Sequence, residues 1–268
     1  MSQDELLEVS SKMIEHSIPC DTVWLDIEHT NEKEYFTWNQ KSFPDPASML
    51  QKINQNRQRL VTIVDPHIRV SDDYVIYAKA LESDLFIKND DGKPFEGRCW
   101  PKQSSWLDFM NPKTTEFLEK VYTGQVMTED PASFIWSNPS VHIWNDMNEP
   151  AVFESTEKTI PKSSLHTFVG DRTVSHRECH SLYGHYNSKA TYHALLARDA
   201  RPEAAESEFK SRPFVLTRSF SAGTQRYAAV WSGDARSDWS HFRLCIPMLL
   251  QSSICGISFI GADVPGFF

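Results

Sequence analysis

Apolar and polar positions follow two rhythms along this chain, and the rhythms take turns. Between Glu5 and His16 the apolar residues Leu6, Leu7, Val9, Met13 and Ile14 fall at helical spacing, the pattern of one buried helix face. The next segment, Thr22-Val23-Trp24-Leu25-Asp26-Ile27, is a short apolar run that meets an acid near its end. Helical spacing returns over Pro46 to Asn54, with Pro44-Asp45 as its entry. It returns again over Asp72 to Leu81, Pro112 to Tyr122, Tyr183 to Ala200, and Trp239 to Leu250 despite Pro247. Between these lie compact apolar runs: Leu60 to Val64, Val141 to Trp144, Pro213 to Thr217, Ala228 to Trp231 and Gly256 to Ile260. Leu85-Phe86-Ile87 is a shorter run, closed by the turn residues Asp90-Asp91-Gly92.

The main runs end on their C-terminal side in polar groups: Asp26, Asp65, Asp146, Arg218, Asp234 and Asp263. Buried strands of a parallel sheet read as continuous hydrophobic runs, with helices as the crossovers between them. The expected fold is α/β, a (β/α)8 TIM barrel, in which functional groups gather at the C-terminal strand ends. An open doubly wound sheet is the alternative, but it usually carries a glycine-rich loop after its first strand, and none occurs here. The strong strand candidates number six, whereas a closed barrel needs eight. Residues 1–268 are therefore expected to form one partial barrel domain: either the flanking strands lie outside this chain or the fold is not a full barrel. The region from Gly124 to Pro139 is poorly periodic, and the polar stretch Ala200 to Ser211 reads as an exposed loop or helix end.

Composition narrows the function. A formal net charge of −9 disfavours nucleic acid and anionic lipid as partners, and no apolar run is long enough to span a bilayer. Met1 to Ser11 is polar and acidic, unlike a signal peptide. Eight tryptophans mostly suit a core, and the remainder suit a pocket whose flat apolar walls meet sugar rings. Five cysteines without a CxxC pair imply neither a disulfide framework nor a zinc knuckle. His67, His142 and the group His176, His180 and His185 lack ligand spacing, so no metal and no cofactor are expected. Asp72, Asp73, Asp90 and Asp91 read as caps or turn residues. The strand-end acids could instead supply the two carboxyl groups that glycoside hydrolysis requires, although composition does not say which pair. A metal-dependent hydrolase using the same acids is a rival, and it would be sensitive to chelators.

Six segments carry a family resemblance. Trp144-Asn145-Asp146-Met147-Asn148-Glu149-Pro150 resembles the nucleophile signature of glycoside hydrolase family 31, and Trp231-Ser232-Gly233-Asp234 resembles its acid/base segment. Gly261-Ala262-Asp263-Val264 with Gly266-Phe267-Phe268, Val23-Trp24-Leu25-Asp26-Ile27-Glu28-His29, Cys99-Trp100-Pro101 and Leu216-Thr217-Arg218-Ser219-Phe220 are similar to four further segments, in family order. Within the family the likeness is greatest to the neutral α-glucosidases and the catalytic subunits of glucosidase II. The resemblance implies a retaining exo-α-glucosidase that removes terminal α-linked glucose. Its substrate would be an N-glycan or another α-glucoside oligosaccharide, its setting the endoplasmic reticulum lumen, and its companion a lectin-like regulatory subunit. A starch or maltose α-glucosidase and a truncated, inactive carbohydrate-binding relic are the alternatives. The resemblance also implies roles: Asp146 as nucleophile, Asp234 as acid/base, Asp26 as a ligand of distal glucose hydroxyls, and Arg218 as a cation beside the carboxylates. It makes Asp263 a supporting acid and Trp100, Trp144, Met147, Trp231 and Phe267 the pocket wall. Arg218 should keep Asp146 ionised, and an apolar wall should keep Asp234 protonated. Ala235 stands where the family usually has Asn, and Pro265 where it usually has Gly. The family's first barrel strand, its last strand and its flanking β-domains have no counterpart, so the chain is expected to be part of a larger enzyme.

Overall fold

The computed structural model describes residues 1–127, 133–205 and 212–268. In chain order the first half comprises α1 (Gln3–Glu15), β1 (Thr22–Leu25), α2 (Pro46–Gln55), β2 (Arg59–Ile63), β3 (His67–Arg69), α3 (Val75–Glu82), β4 (Glu96–Cys99), β5 (Lys102–Trp106), α4 (Pro112–Tyr122) and α5 (Ser133–Trp136). The second half comprises β6 (Val141–Asn145), β7 (Leu165–Phe168), β8 (Arg172–Ser175), α6 (His176–Cys179), α7 (Tyr183–Asp199), α8 (Pro202–Ala205), β9 (Val215–Thr217), β10 (Ala229–Trp231), α9 (Trp239–Ile254) and β11 (Ile260–Gly261).

The six strands expected from the apolar runs form one parallel sheet in the order β1-β2-β6-β9-β10-β11. Neighbours in space follow one another along the chain, which is the rule for a barrel wound in one direction. The sheet is an incomplete (β/α)8 barrel. Helix starts follow local chemistry. Ser2 and Glu5 make a reciprocal capping box on α1, and Asp45, Asn111 and Asp238 accept from first-turn amides of α2, α4 and α9, satisfying donors that no helical carbonyl reaches. The core lies between strands and helices on the outer side. Trp106, Trp136, Tyr35, Phe36, Phe43 and Met49 are completely or nearly completely buried there.

Two small antiparallel sheets, β3-β5-β4 and β7-β8, stand outside the expected pattern. Lys102-Gln103-Ser104-Ser105 pairs with both β3 and β4, yet it carries no apolar alternation. The run Leu85-Phe86-Ile87 forms no strand of its own; it joins the end of β5 through the Ile87 amide, which donates to the Trp106 carbonyl (2.9 Å), and through the isolated bridge of Phe86 with Leu107. The poorly periodic region from Gly124 to Pro139 contains α5, and Ala200 to Ser211 opens with α8. Positions 128–132 and 206–211 of those two regions lie outside the described residues.

Candidate active site

Two of the polar strand ends, Asp146 and Asp234, meet a third, the guanidinium of Arg218, at the C-terminal edge of the sheet. Asp146 follows β6 directly, and Arg218 follows β9, whose partner in register is Asn145. The Arg218 backbone amide donates to the Asn145 carbonyl (3.2 Å), so the two side chains leave neighbouring strands at one level. Nε and Nη2 of Arg218 both contact Oδ1 of Asp146. The same guanidinium places Nε 3.3 Å from Glu149 Oε1 and Nη1 3.6 Å from Asp234 Oδ1. Its flat face lies 5.5 Å from the centroid of Trp231, and Nη2 reaches Met147 Sδ at 3.4 Å. One fork thus spans Asp146 and Asp234, a geometry that a lysine point charge would not provide.

The turn after Asp146 is built tightly. Met147 adopts a left-handed backbone (φ 55°), uncommon for a residue with a side chain. Asn148 pins this turn. Its Nδ2 donates to Asn187 Oδ1 (3.0 Å) on α7 and to Thr217 Oγ1 (2.9 Å) on β9, and its Oδ1 accepts from the Ser219 amide (3.0 Å). Asn148, Asn187 and Thr217 are all buried. Sequence reasoning passed over Asn148 and Asn187, and the second Asn of the Trp144 to Pro150 segment was the available signal.

Asp26 caps the short helical turn Ile27–His29, accepting from the Ile27 amide at 2.6 Å. Asp263 accepts from the Ala235 amide at 3.2 Å, so Ala235 contributes its backbone where its side chain offers nothing polar. Burial raises the pKa of both acids. Their own amide partners oppose this, and the nearby Asp234 adds to it. Asp146 is pushed up to about 6 by burial, against the pull of Arg218. Arg218 favours the ionised form as expected, but desolvation outweighs the cation. At neutral pH Asp146 still carries its charge. Asp234 stands apart in exposure, its side chain 34% accessible, and the ring of Trp231 faces Arg218 rather than enclosing it.

The wall residues divide. Trp24, Trp144 and Trp231 meet edge to face, with centroids 6.1 and 5.7 Å apart. With Phe214, Leu216 and Phe259 they line an apolar groove of about 440 Å³ on the inner face of the sheet, with Asp263 among its residues. Trp100 packs on Phe153 at 4.7 Å and is largely exposed. Phe267 meets Phe268 and solvent, joined to the acid loop by its amide, which donates to the Ala235 carbonyl (2.6 Å).

The histidines resolve into a separate cluster. His166 Nδ1 pairs with Asp108 Oδ1 (2.8 Å), His166 Nε2 with His176 Nδ1 (2.9 Å), and His176 Nε2 with His180 Nδ1 (2.9 Å). With Cys179, His166 and His176 place three possible ligand atoms within 4.8 Å of one another. If each ring donates from Nδ1 and accepts at Nε2, every contact in the chain is satisfied by protons alone. His185 instead pairs with Thr224 (2.9 Å). The five cysteines are free thiols. Among the described residues no helix is long and apolar enough to cross a membrane.

Comparison with known proteins agrees over the whole length. The family model described as "Glycosyl hydrolases family 31 TIM-barrel domain" matches residues 1–268. Neutral alpha-glucosidase C of Mus musculus is 46% identical over 265 residues, 99% of this chain and 27% of the relative. The crystal structure of the glucosidase II alpha subunit bound to alpha3-Glc2 superposes with a TM-score of 0.88 at 42% identity, over 100% of this chain and 27% of that one. The heterodimeric complex of ER glucosidase II, catalytic subunit with the binding domain of its regulatory subunit, gives 0.89 at the same identity and coverage. The chain spans about a quarter of the length of the relatives it matches. With a barrel sheet in family order and a family match from the first residue to the last, the chain belongs to glycosyl hydrolases family 31.

Proposed function

We propose that this chain carries the catalytic centre of a retaining exo-α-glucosidase, with Asp146 as nucleophile and Asp234 as acid/base. One observation carries the reading: a single guanidinium touches both carboxyl groups, which puts two acids on one site as double displacement demands. A carboxylate oxygen of Asp146 attacks the anomeric carbon, while Asp234 gives its proton to the departing glycosidic oxygen. The glycosyl ester on Asp146 is then hydrolysed by water, whose proton returns to Asp234. Asp26, Asp146, Asp234 and Asp263 surround the reacting centre with negative potential. That potential favours an oxocarbenium-like transition state over neutral sugar. Asp26 and Arg218 would bind glucose hydroxyls. Trp24, Trp144 and Trp231 would supply the flat apolar surface, and Trp100, Met147 and Phe267 would complete the wall.

The finer reading is a glucose-trimming enzyme for N-linked glycans in the endoplasmic reticulum lumen, working with a lectin-like regulatory subunit. It is supported by likeness to glucosidase II structures, one of them a complex with the regulatory subunit's binding domain. Hydrolysis of a chromogenic α-glucoside, with the first-formed glucose retaining the α configuration, tests the activity. A mechanism-based sugar epoxide should label Asp146, and labelling of Glu149 or Asp234 instead would overturn the assignment. Asp146→Asn and Asp234→Asn should each lower kcat by several powers of ten, because each removes a whole chemical role.

A further inference from the structure

We propose that Asp65 is a positioning residue for Asp146: held as the neutral acid in the floor of the site, it offers the nucleophile a hydrogen-bond donor instead of a second negative charge. The inference rests on the α-glucosidase reading for its kinetic consequences, but not for its structural core. Strands β2 and β6 pair in parallel with Ile63 opposite Trp144. The ladder continues past the strand ends, as the Val64 amide donates to the Trp144 carbonyl (2.8 Å) and Asn145 Nδ2 to the Val64 carbonyl (3.0 Å). Asp65 and Asp146 therefore leave adjacent strands side by side. They are 2% and 7% exposed. Two buried carboxylates in that relation cannot both ionise without large cost, and the guanidinium of Arg218 sits on Asp146.

The groups in contact with Asp65, Tyr35 and His67, supply hydrogen bonds but no charge, and the one cation bearing on it, Arg218, is seated on Asp146. The Tyr35 hydroxyl donates to Asp65 Oδ2 and lies 3.0 Å from His67 Nε2. With its proton on Nε2, His67 donates to the Tyr35 oxygen, and Tyr35 passes its own proton toward Asp65. His67 is completely buried, and burial pushes it down to about 3, so it is neutral. Oδ1 of Asp65 is buried and has no hydrogen-bond partner among the described residues. An anion would leave that oxygen uncompensated, whereas a neutral acid carries its proton there as a donor. Burial first, and then the charge of Asp146, raises the Asp65 carboxyl well above the usual range. The other ionisable groups bearing on the pair are Asp26 and Arg218 at the mouth and Cys99 at the end of β4. Asp26 and the buried thiol bring no cation closer.

Three measurements test this in the protein that hydrolyses a chromogenic α-glucoside. At neutral pH the infrared difference spectrum of the parent against Asp65→Asn should contain the carbonyl stretch of a protonated carboxyl. A carboxylate band in its place would overturn the proposal, whatever the activity. Asp65→Asn keeps a donor and no charge, so kcat should stay within about threefold and the acid limb of the kcat/KM profile should not move. Movement of that limb to lower pH would mean that a negative charge had been removed, and would also overturn the proposal. Asp65→Leu loses the donor, so its acid limb should move to higher pH and its kcat should fall about ten- to a hundredfold, with KM changing far less. Equal losses in the Asn and Leu variants, with the limb fixed in both, would reduce Asp65 to a packing residue. If the parent is inactive and Asp146 takes no epoxide label, the glucosidase reading fails, while the infrared result still decides the state of Asp65.

Discussion

Asp146 is caught between two opposing forces, and the balance has consequences for both stability and rate. Burial raises its pKa to about 6 and Arg218 lowers it; burial is the larger influence. The folded value lies above the ordinary 3.8, so ionisation of this group weakens the fold. That penalty is absent below about pH 4, grows between 4 and 6, and is complete above 6. Asp146→Asn should therefore raise the melting temperature at pH 7.5 by more than at pH 4. About 1 kcal/mol moves a domain of this size roughly 2–4 °C, and scanning calorimetry at the two values resolves such a difference. An equal shift at both would show that Asp146 is not a strained charge. For the proposed nucleophile, giving up stability to hold a buried charge is a familiar compromise. The strand-end acids were legible in the sequence because apolar runs ended on them, but it took the family resemblance to single out Asp146 and Asp234. The pull of burial on Asp146 was not legible, because desolvation depends on every neighbour and not on the residue type. Asp65 was counted among the strand-end acids for the same reason as Asp146, yet nothing in Asp65-Pro66-His67 told that Tyr35 would close over it.

The elements that hold the site are joined by small and polar residues. Helix α7 approaches the loop after β9 so closely that a Cβ on Gly184 would stand 2.6 Å from the Ser219 carbonyl oxygen. Nothing flexible can yield there, since that oxygen is backbone. Ser219 follows Arg218 and gives its amide to Asn148, which also binds Asn187 of α7 and Thr217 of β9. Gly184→Ala should push the Arg218 loop away from α7, and Asn148→Ala should leave the buried Asn187 side-chain oxygen and the half-buried Ser219 amide without their partner, at about 1–3 kcal/mol for each unsatisfied group. Both variants should lose at least about tenfold in kcat, because small displacements of catalytic groups are costly. An unchanged kcat in folded Gly184→Ala would show that the contact relaxes harmlessly. The six longer helices and the six parallel strands were readable, since apolar periodicity is what a buried face imposes, whereas the four-residue helices α5, α6 and α8 are too short to show it. The hairpin β7-β8 and the sheet β3-β5-β4 were not, because Arg172-Thr173-Val174-Ser175 and Lys102-Gln103-Ser104-Ser105 pair mainly through backbone, which leaves no hydrophobic rhythm. The middle of α9 tolerates Pro247, and there periodicity prevailed over a helix breaker.

At the scale of the molecule, six parallel strands leave two free edges, β1 and β11, where a closed barrel has none. The inner face exposes Trp24, and the side around α9 and β11 exposes Trp239 (76%), Ile254 (88%) and Phe259 (66%). Such apolar surface is larger than isolated surface residues explain, and it marks area that another body of protein would cover. The site lies across the same sheet. Asp234 and Asp263 follow β10 and β11, and β11 has only two residues and pairs with β10 at two positions. The acid/base side of the centre is thus its least supported side, while Asp146 is braced by β2, β9 and α7. This chain on its own should bind an apolar dye such as ANS strongly and self-associate at micromolar concentration. A longer form that supplies the remaining barrel strands should do neither. The same comparison should raise α-glucosidase turnover mainly through Asp234: hydrolysis of an α-glucosyl fluoride, whose leaving group needs no proton, should survive in the short chain better than hydrolysis of a glucoside whose leaving oxygen must be protonated. Light scattering, dye fluorescence and the two turnover rates on the two forms measure this. A monomeric, dye-silent short chain with full turnover would show that six strands suffice to hold both acids in place.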